Sequence, residues 1–362
     1  MSTGTGTTAR SSALDMVRGL AVVLVLFRHV PPLDDSLPGW LHPFFNTLRC
    51  GGWVGVDLFF VLSGFLVSGL LFREWKKTGQ LRAGRFLLRR AFKIYPGFYA
   101  MLAVTLLYRT LKHQPLPADR VLGEMLFVQN YLGRLWDHTW SLAVEEHFYL
   151  LLALGLAAAW RLSSDFSKVI ARVPWIVAAG LVLCLGARLL TARDTTEMNA
   201  LLMPTHLRVD SLLLGVLLSW GVFFHGWAEW LRGRQMLAWV GAGLLLAPAF
   251  IWPVEHTPAL LTFGVTGFAL AGALLVLTAS SSTATLPPLA WVGRNSYAIY
   301  LWHVPAAVVL RKDILPSVAW PVLALAYVAV TLTAGYLATR LVELPMLRLR
   351  DRWFPSNAPV VV

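Results

Sequence analysis

Charged residues are scarce in this chain of 362 residues: they make up 14% of it, whereas hydrophobic residues make up 57%. A soluble globular protein usually has about 25% charged and about 45–50% apolar residues. The two cysteines, Cys50 and Cys184, are too few for a disulfide framework or for a tetrahedral metal site made of cysteines. The composition therefore excludes a soluble domain, a disordered chain and a disulfide-rich module.

Several motifs of common catalytic and binding classes are also missing. The sequence contains no Walker A phosphate loop, no HExxH zinc motif and no GxSxG nucleophile elbow, and we expect no metal site. The net charge of +12 is not gathered on a polar domain, so we expect no nucleic-acid partner. Membrane topology or an anionic ligand explains the basic residues better.

Long apolar segments fill most of the chain. A transmembrane helix needs about 20 mostly apolar residues, and the connections between such segments are short. We therefore predict an all-α fold, a polytopic membrane bundle of about ten transmembrane helices. The predicted spans are residues 13–30, 53–72, 91–108, 141–160, 173–190, 207–224, 235–252, 259–278, 291–310 and 318–339.

The charges in and around these spans indicate how the chain enters the membrane and on which side its termini lie. The first span contains Asp15, Arg18, Arg28 and His29 and has no small-residue cleavage site after it, so we interpret it as a retained helix. Lys and Arg are more frequent in the connections that lie inside if the N-terminus is inside, which predicts that both termini are cytoplasmic. We predict an N-terminal tail over residues 1–12, a membrane domain over residues 13–345 and a C-terminal tail over residues 346–362.

Ionisable residues inside a membrane span are costly, so each one is a candidate functional residue. Arg18 and His29 are eleven residues apart, which places them ~20° apart around a helix and ~16 Å apart along it. Asp57 lies just inside the second span and is either an inexpensive interfacial carboxylate or an acceptor that orients a residue of the first helix. Asp210 and Arg208, two residues apart, are expected to form an ion pair.

Basic residues are densest between the second and third spans. Arg89, Arg90 and Lys93 stand at the entry to the third span, where Arg90 and Lys93 share a face at the i, i+3 spacing. Part of this charge reflects the usual bias of cytoplasmic loops. The cluster also has the composition of a phosphate-binding site.

Two further segments combine polar and aromatic residues at the start of predicted helices. Glu145 and Glu146 enter the fourth span together and point about 100° apart, so we expect them to have different roles. Tyr297, Tyr300 and His303 fall on neighbouring positions of the ninth span. Aromatic packing around a hydrogen-bonded His is the simpler interpretation of that group.

Taken together, these segments resemble the acyltransferase-3 family of integral membrane acyltransferases, which includes O-acetyltransferases of bacterial surface glycans and related antibiotic acyltransferases. The sequence departs from the usual motifs at Lys93, where Arg is more common, and at Ala143 and His147, where Ser and Gln are common. The matching segments are residues 14–29, 55–65, 89–96, 140–149, 296–303 and 343–345.

The resemblance implies a multi-pass protein of the bacterial inner membrane that moves an acetyl or other short acyl group from acyl-CoA to a hydroxyl of a sugar or glycoconjugate. Acyl-CoA is then a substrate, and no bound cofactor is expected. The short sequence after Pro345 implies that the membrane domain itself reaches the acceptor. The alternatives are acylation of a small-molecule antibiotic such as a macrolide, and glycan transport without acyl transfer.

The resemblance also implies roles for individual residues. His29 is the expected general base, and Asp57 or Glu145 is expected to fix its tautomer. Direct transfer and an acyl-enzyme on His29 both remain open. The expected substrate-binding residues are Arg18, Arg89, Arg90, Lys93, Glu146, Tyr297 and His303.

Overall fold

The structure, a computed structural model, describes residues 12–355 of the chain. Within this range the regular elements are all helical and no strand is present, so the predicted all-α fold is confirmed. The predicted N-terminal tail lies outside the described residues except for Ser12, and so do residues 356–362 of the predicted C-terminal tail.

Ten helices of 14 to 29 residues coincide with the ten predicted spans. Their ends differ from the predicted ends by several residues, most of all in the third span, where the helix starts earlier. In chain order they are α1 (Ser12–His29), α2 (Val54–Thr78), α3 (Ala83–Leu111), α4 (Trp140–Leu162), α5 (Val173–Asp194), α6 (Val209–His225), α7 (Gln235–Ile251), α8 (Val265–Ser280), α9 (Ser296–Val309) and α10 (Trp320–Ala338).

Six helical stretches of the described chain are long and apolar enough to cross a membrane by themselves, and they contain α2, α3, α4, α5, α8 and α10. Helices α6 and α7 are apolar but have 17 residues each. Helix α1 has three charged residues among its 18, and α9 has 14 residues. The count of ten spans and the cytoplasmic position of both termini stay predictions.

Shorter elements connect the long helices and extend some of them. Three π-helical stretches adjoin long helices, and one of them joins α10 to a further helix that begins within the predicted membrane domain and runs into the predicted C-terminal tail. The short α-helices are His42–Gly51, Ala118–Met125, Phe166–Ala171, Met198–Leu202, Trp227–Leu231, Pro287–Arg294 and Leu344–Trp353; the π-helices are Leu260–Gly264, Leu310–Ile314 and Thr339–Glu343; and the 3₁₀ turns are Gly39–Leu41, Asp137–Thr139, Thr205–Leu207 and Val254–His256.

Helix α2 lies at the centre of the bundle. In the most apolar window of the stretch that contains it, 72% of the residues are buried inside the protein, compared with 22% for α5. Its backbone touches that of α6: a Cβ added at Gly64 would lie 2.0 Å from the Leu212 carbonyl oxygen, and one added at Gly215 would lie 2.2 Å from the Val61 oxygen. Glycines at such crossings let membrane helices approach closely, where packing and not the hydrophobic effect drives association.

Two buried ion pairs join α2, α5 and α6. Nη2 of Arg208, at the start of α6, lies 2.7 Å from Oδ1 of Asp57 on α2, and Nη2 of Arg188 on α5 lies 2.7 Å from Oδ2 of Asp210. All four side chains are at most 1% exposed. The expected pairing of Arg208 with Asp210 is therefore wrong: each of the two residues pairs with a different helix, because residues two apart on a helix point in different directions.

Candidate active site

A cavity opens between α1, α2, α3, α4 and α9. The cavity and its open entrance together contain about 800 Å³ of empty space. Five of the predicted site residues line it, namely Arg18, Arg90, Lys93, Glu145 and Tyr297. The polar and ionisable side chains in its wall are those of Arg18, Ser63, Arg90, Lys93, Ser141, Glu145, Tyr149, Ser296, Tyr297 and Tyr300.

Three basic side chains line the cavity. Arg18 enters it from α1, and Arg90 and Lys93 enter it from neighbouring turns of α3. The Arg90 guanidinium lies 5.6 Å from the centre of the Tyr149 ring, a cation–π contact that orients it. The Arg18 guanidinium also lies 3.0 Å from Asp15. Three positive side chains line the cavity together with one carboxylate, that of Glu145, and this excess of positive charge favours an anionic ligand.

Arg89 points away from this cavity. Its Nη2 lies 3.1 Å from Oδ1 of Asp351, which belongs to the helix Leu344–Trp353, and its Nη1 donates to the Phe354 carbonyl. Neighbouring residues of a helix are about 100° apart, so Arg89 and Arg90 contact different surfaces. The three basic residues of the motif therefore divide between the cavity and the C-terminal helix.

The two adjacent glutamates also diverge. Glu145 lines the cavity, in the same wall as Arg90 and Lys93. Glu146 is 7% exposed and accepts a hydrogen bond of 3.1 Å from the Tyr95 hydroxyl on α3. This placement agrees with the expectation that the two carboxylates have different roles.

Serine and tyrosine hydroxyls pair in the cavity wall. Ser63 Oγ lies 2.5 Å from the Tyr149 hydroxyl, and Ser141 Oγ lies 2.6 Å from the Tyr300 hydroxyl. The Tyr297 hydroxyl donates to the Ile94 carbonyl oxygen at 2.5 Å and ties α9 to α3. The hydroxyl pairs place polar oxygen atoms, which can accept from the amide N–H groups of a ligand, in a wall that also contains aliphatic and aromatic side chains.

A cluster of three histidines lies beside the Ser141–Tyr300 pair. The ring centres of His29 and His303 are 4.8 Å apart, and those of His303 and His138 are also 4.8 Å apart. The Tyr300 ring, which lines the cavity, is 5.2 Å from His303 and 5.5 Å from His138. The histidine cluster thus adjoins the cavity through Tyr300, and we use the name for His29, His138 and His303 below.

The backbone of its own helix, and not a carboxylate, orients the His29 ring. Nδ1 of His29 lies 3.0 Å from the Val25 carbonyl oxygen. A carbonyl oxygen accepts but cannot donate, so Nδ1 holds the proton and Nε2 has the free lone pair. Asp57 accepts from Arg208 and Ser211 instead, and Glu145 faces the cavity. Neither carboxylate is placed to fix the tautomer in the way expected from sequence.

His138 is the residue of this site that sequence analysis missed. It lies in the turn Asp137–Thr139, two residues before Trp140, and is 2% exposed. Glu124 holds this turn in place because its Oε1 accepts from the Leu135 amide at 2.9 Å and from the Thr139 hydroxyl at 2.8 Å. Burial raises the pKa of the Glu124 carboxyl above its usual value. Proximity to the motif at Trp140 was the available signal, but an isolated loop histidine has no periodicity to interpret.

Within residues 12–355, no group of three or more His, Cys, Asp or Glu side chains is arranged to hold a metal ion. The three rings of the histidine cluster meet edge to face, with interplanar angles of 74° and 71° between neighbours.

Comparison with known proteins gives one family and a consistent set of relatives. A family model described as an acyltransferase domain matches residues 11–340. The chain is 27% identical to a peptidoglycan O-acetyltransferase, OatA, of Listeria monocytogenes, over 92% of this chain and 55% of that protein. It is 25% identical to an O-acetyltransferase OatA of Staphylococcus aureus, over 83% of this chain and 51% of that protein, and 26% identical to a putative O-acetyltransferase of the same species, over 80% and 49%.

The chain spans about half the length of these curated relatives. No solved structure matches it. The matched region covers all ten long helices of the bundle in whole or in large part and every residue that lines the cavity. With its apolar helices, the protein is a multi-pass membrane protein, and it belongs to the acyltransferase-3 family.

Proposed function

We propose that this protein transfers an acetyl or other short acyl group from acyl-CoA to a hydroxyl of a glycan. The observation that carries the proposal is the cavity, which is lined by three basic side chains and adjoins the histidine cluster through Tyr300. Membership of the acyltransferase-3 family and the names of the relatives, O-acetyltransferases, support acyl transfer to oxygen.

The donor binds with its phosphates near Arg18, Arg90 and Lys93. Charge-assisted hydrogen bonds from Arg and Lys are the usual contacts of phosphate groups. The pantetheine arm then follows the cavity, whose wall offers the hydroxyls of Ser63 and Ser141 to its amides. This arrangement leads the thioester toward Tyr300 and the histidine cluster. Arg89 is not a donor ligand in this proposal because it is engaged by Asp351.

His29 acts as the general base. Its Nε2 accepts the proton of the acceptor hydroxyl as the hydroxyl oxygen attacks the carbonyl carbon of the thioester. The carbon–sulfur bond breaks, and the imidazolium returns the proton to the departing thiolate, so that the products are the ester and free CoA. An imidazole is suited to both transfers since its unperturbed pKa lies near neutrality.

The acceptor is proposed from the relatives. One is named a peptidoglycan O-acetyltransferase, so a peptidoglycan sugar is the first acceptor to test. A small-molecule antibiotic is the alternative within the same chemistry, and a transporter would consume no acyl-CoA at all. These alternatives differ in which compound gains the acyl group.

The test uses the full chain, purified in lipid nanodiscs and supplied with radiolabelled acetyl-CoA. Peptidoglycan fragments and a macrolide are offered in separate reactions. We expect labelled acetyl on the fragments and free CoA in equal amounts. Label on the macrolide alone would overturn the glycan acceptor, and the absence of acetyl-CoA consumption in both reactions would overturn the donor.

The His29→Asn variant tests the role of the base. Asparagine retains an N–H that can donate to the Val25 carbonyl, but it cannot take up a proton. We expect kcat to fall by at least about 100-fold in a protein that still folds. His147→Asn is the matched control, because His147 is half-buried and pairs with Thr205 outside the cluster. Equal activity of both variants would remove His29 from catalysis.

A further inference from the structure

Each ring of the histidine cluster donates a hydrogen bond from one of its nitrogens to a backbone carbonyl oxygen. His29 bonds the Val25 carbonyl through Nδ1, His303 bonds the Tyr300 carbonyl through Nδ1, and His138 bonds the Leu301 carbonyl through Nε2. Each of these nitrogens must be the protonated one, since a carbonyl oxygen only accepts. The other nitrogen of each ring is then a bare lone pair.

Two of these lone pairs are buried without a partner. Among the residues that the structure describes, Nε2 of His303 and Nδ1 of His138 have no hydrogen-bond partner. The two residues are 0% and 2% exposed. A buried acceptor without a donor costs free energy. The histidine cluster therefore lacks donors as long as all three rings are neutral.

One added proton would supply a missing donor. When an imidazole takes up a proton, its second nitrogen becomes a donor, and the lone pair of an adjacent ring can accept from it. His303 lies between the other two rings, 4.8 Å from each by ring centres. The arrangement favours the singly protonated cluster over an isolated imidazolium in the same buried surroundings.

We propose that His303 and His138 are positioning residues for His29: they stabilise the imidazolium that forms when His29 removes the proton of the acceptor hydroxyl. The proton that His29 gains at Nε2 is shared, in a three-centre hydrogen bond, between the departing thiolate and Nε2 of His303, and His138 holds His303 in place through their ring contact. No bond other than those of the acyl transfer forms or breaks. The proton stays on His29 until the thiolate takes it. This inference rests on the proposed function.

Two substitutions remove the second ring nitrogen, which cannot then take part in the cluster, and retain the backbone hydrogen bonds. In His303→Asn the amide nitrogen replaces Nδ1 and can still donate to the Tyr300 carbonyl. In His138→Gln the longer side chain places its amide nitrogen where Nε2 was, near the Leu301 carbonyl. Both side chains are no larger than the histidine, so the variants should fold. His147→Asn is again the matched control.

The experiment measures kcat, the KM for acetyl-CoA and the thermal midpoint of each variant in nanodiscs. For His303→Asn we expect kcat to fall about tenfold to 100-fold, the loss typical of a hydrogen bond to a charged group. We expect the KM for acetyl-CoA and the thermal midpoint to stay close to those of the wild type. His138→Gln should show the same pattern with a smaller fall in kcat.

A combined variant separates positioning from general damage. If His303 acts through His29, His29→Asn with His303→Asn should be no slower than His29→Asn alone, because the imidazolium no longer forms. Independent, multiplying losses would overturn the proposal.

Three other outcomes have distinct meanings. Normal kcat in both single variants, together with an inactive His29→Asn, would overturn this inference and leave the proposed function intact. Loss of folded protein in both would show that the rings support the fold, and would also overturn it. A wild-type protein that consumes no acetyl-CoA, or a fully active His29→Asn, would overturn the proposed function itself.

Discussion

Arg89 and Arg90 are adjacent in the sequence but contact different parts of the protein, so their substitution should have different effects. Arg90 lines the cavity, whereas Arg89 pairs with Asp351. We expect Arg90→Ala to raise the KM for acetyl-CoA about tenfold to 100-fold, the loss of one or two hydrogen bonds to phosphate. Arg89→Ala should leave this KM nearly unchanged.

Steady-state kinetics at fixed salt, with the acetyl-CoA concentration varied, measure the KM of each variant. Salt must be fixed because phosphate contacts weaken as ionic strength rises. Equal KM values for the two variants would mean that Arg90 in the cavity wall does not bind the donor.

Asp57 is a buried charge that pairs with a residue of another helix. Its partner Arg208 is 1% exposed, and Arg208 Nη2 donates to it at 2.7 Å. Asp57→Asn would leave an uncompensated buried guanidinium, which typically costs about 3–5 kcal/mol. We expect a large fall in the thermal midpoint, whatever happens to turnover.

Asp313→Asn is the control for this substitution. Asp313 pairs with Lys112 at the protein surface, 2.7 Å away, and such pairs contribute about 0–1 kcal/mol. If both variants melt at the same temperature, the Asp57–Arg208 pair does not stabilise the bundle.

Sequence analysis located most of the site residues but not all of their partners. Arg18, Arg90, Lys93, Glu145 and Tyr297, which were singled out by their charge or by their motif, all line one cavity. The pairing of Asp57 with Arg208 joins residues 151 positions apart, and no periodicity within one helix specifies such a contact. The place of His138 in the site was not predicted for the same reason, because its neighbours His303 and Tyr300 lie more than 160 positions later in the sequence.

At the scale of helices, the crossing of α2 and α6 should be the most sensitive point of the bundle. A Cβ at Gly64 would lie 2.0 Å from the Leu212 carbonyl oxygen, and no side-chain rotation can relieve a clash with backbone. We expect Gly64→Ala to force the helices apart, lower the thermal midpoint and reduce the amount of folded protein. The measurement is melting in detergent, followed by light scattering.

Gly155→Ala in α4 provides the comparison. A Cβ there meets nothing within 4 Å, and alanine is favoured over glycine inside a helix by roughly 0.5–1 kcal/mol. The two variants therefore make the same chemical change with opposite expected signs. A Gly64→Ala protein as stable as the wild type would show that the helices do not need this close approach.

Helix positions were predictable from hydropathy, while several helix ends and joints were not. Apolar runs of about 20 residues, the length that a transmembrane helix needs, predicted the positions of all ten long helices. The helix Leu344–Trp353, which contains Arg348, Arg350 and Arg352, lies mostly in the predicted C-terminal tail. Contacts that a hydropathy pattern cannot predict hold this helix in place. One of them is the packing of Trp353 against Phe92, whose ring centres are 5.8 Å apart.

At the scale of the whole molecule, the positions of donor and base predict how the reaction crosses the membrane. Arg18, Arg90 and Lys93 lie at the predicted cytoplasmic end, and His29 lies about 16 Å further along α1 by helix rise. Acyl-CoA cannot cross a bilayer with its phosphates, so either its arm reaches through the protein to His29 or the acceptor comes inward. The presence of Arg18, Arg90, Lys93 and Tyr300 in the wall of one cavity favours the first route.

Sealed inside-out vesicles with oriented protein distinguish the two routes. We expect acetyl-CoA added outside such vesicles to acylate an impermeant acceptor trapped within them, because the donor then approaches the cytoplasmic face and the acceptor the opposite one. The His29→Asn protein in the same vesicles shows whether any label results from leakage. If only acceptor on the donor's side becomes acylated, the enzyme works at the cytoplasmic face alone, and the cavity serves both substrates from one opening.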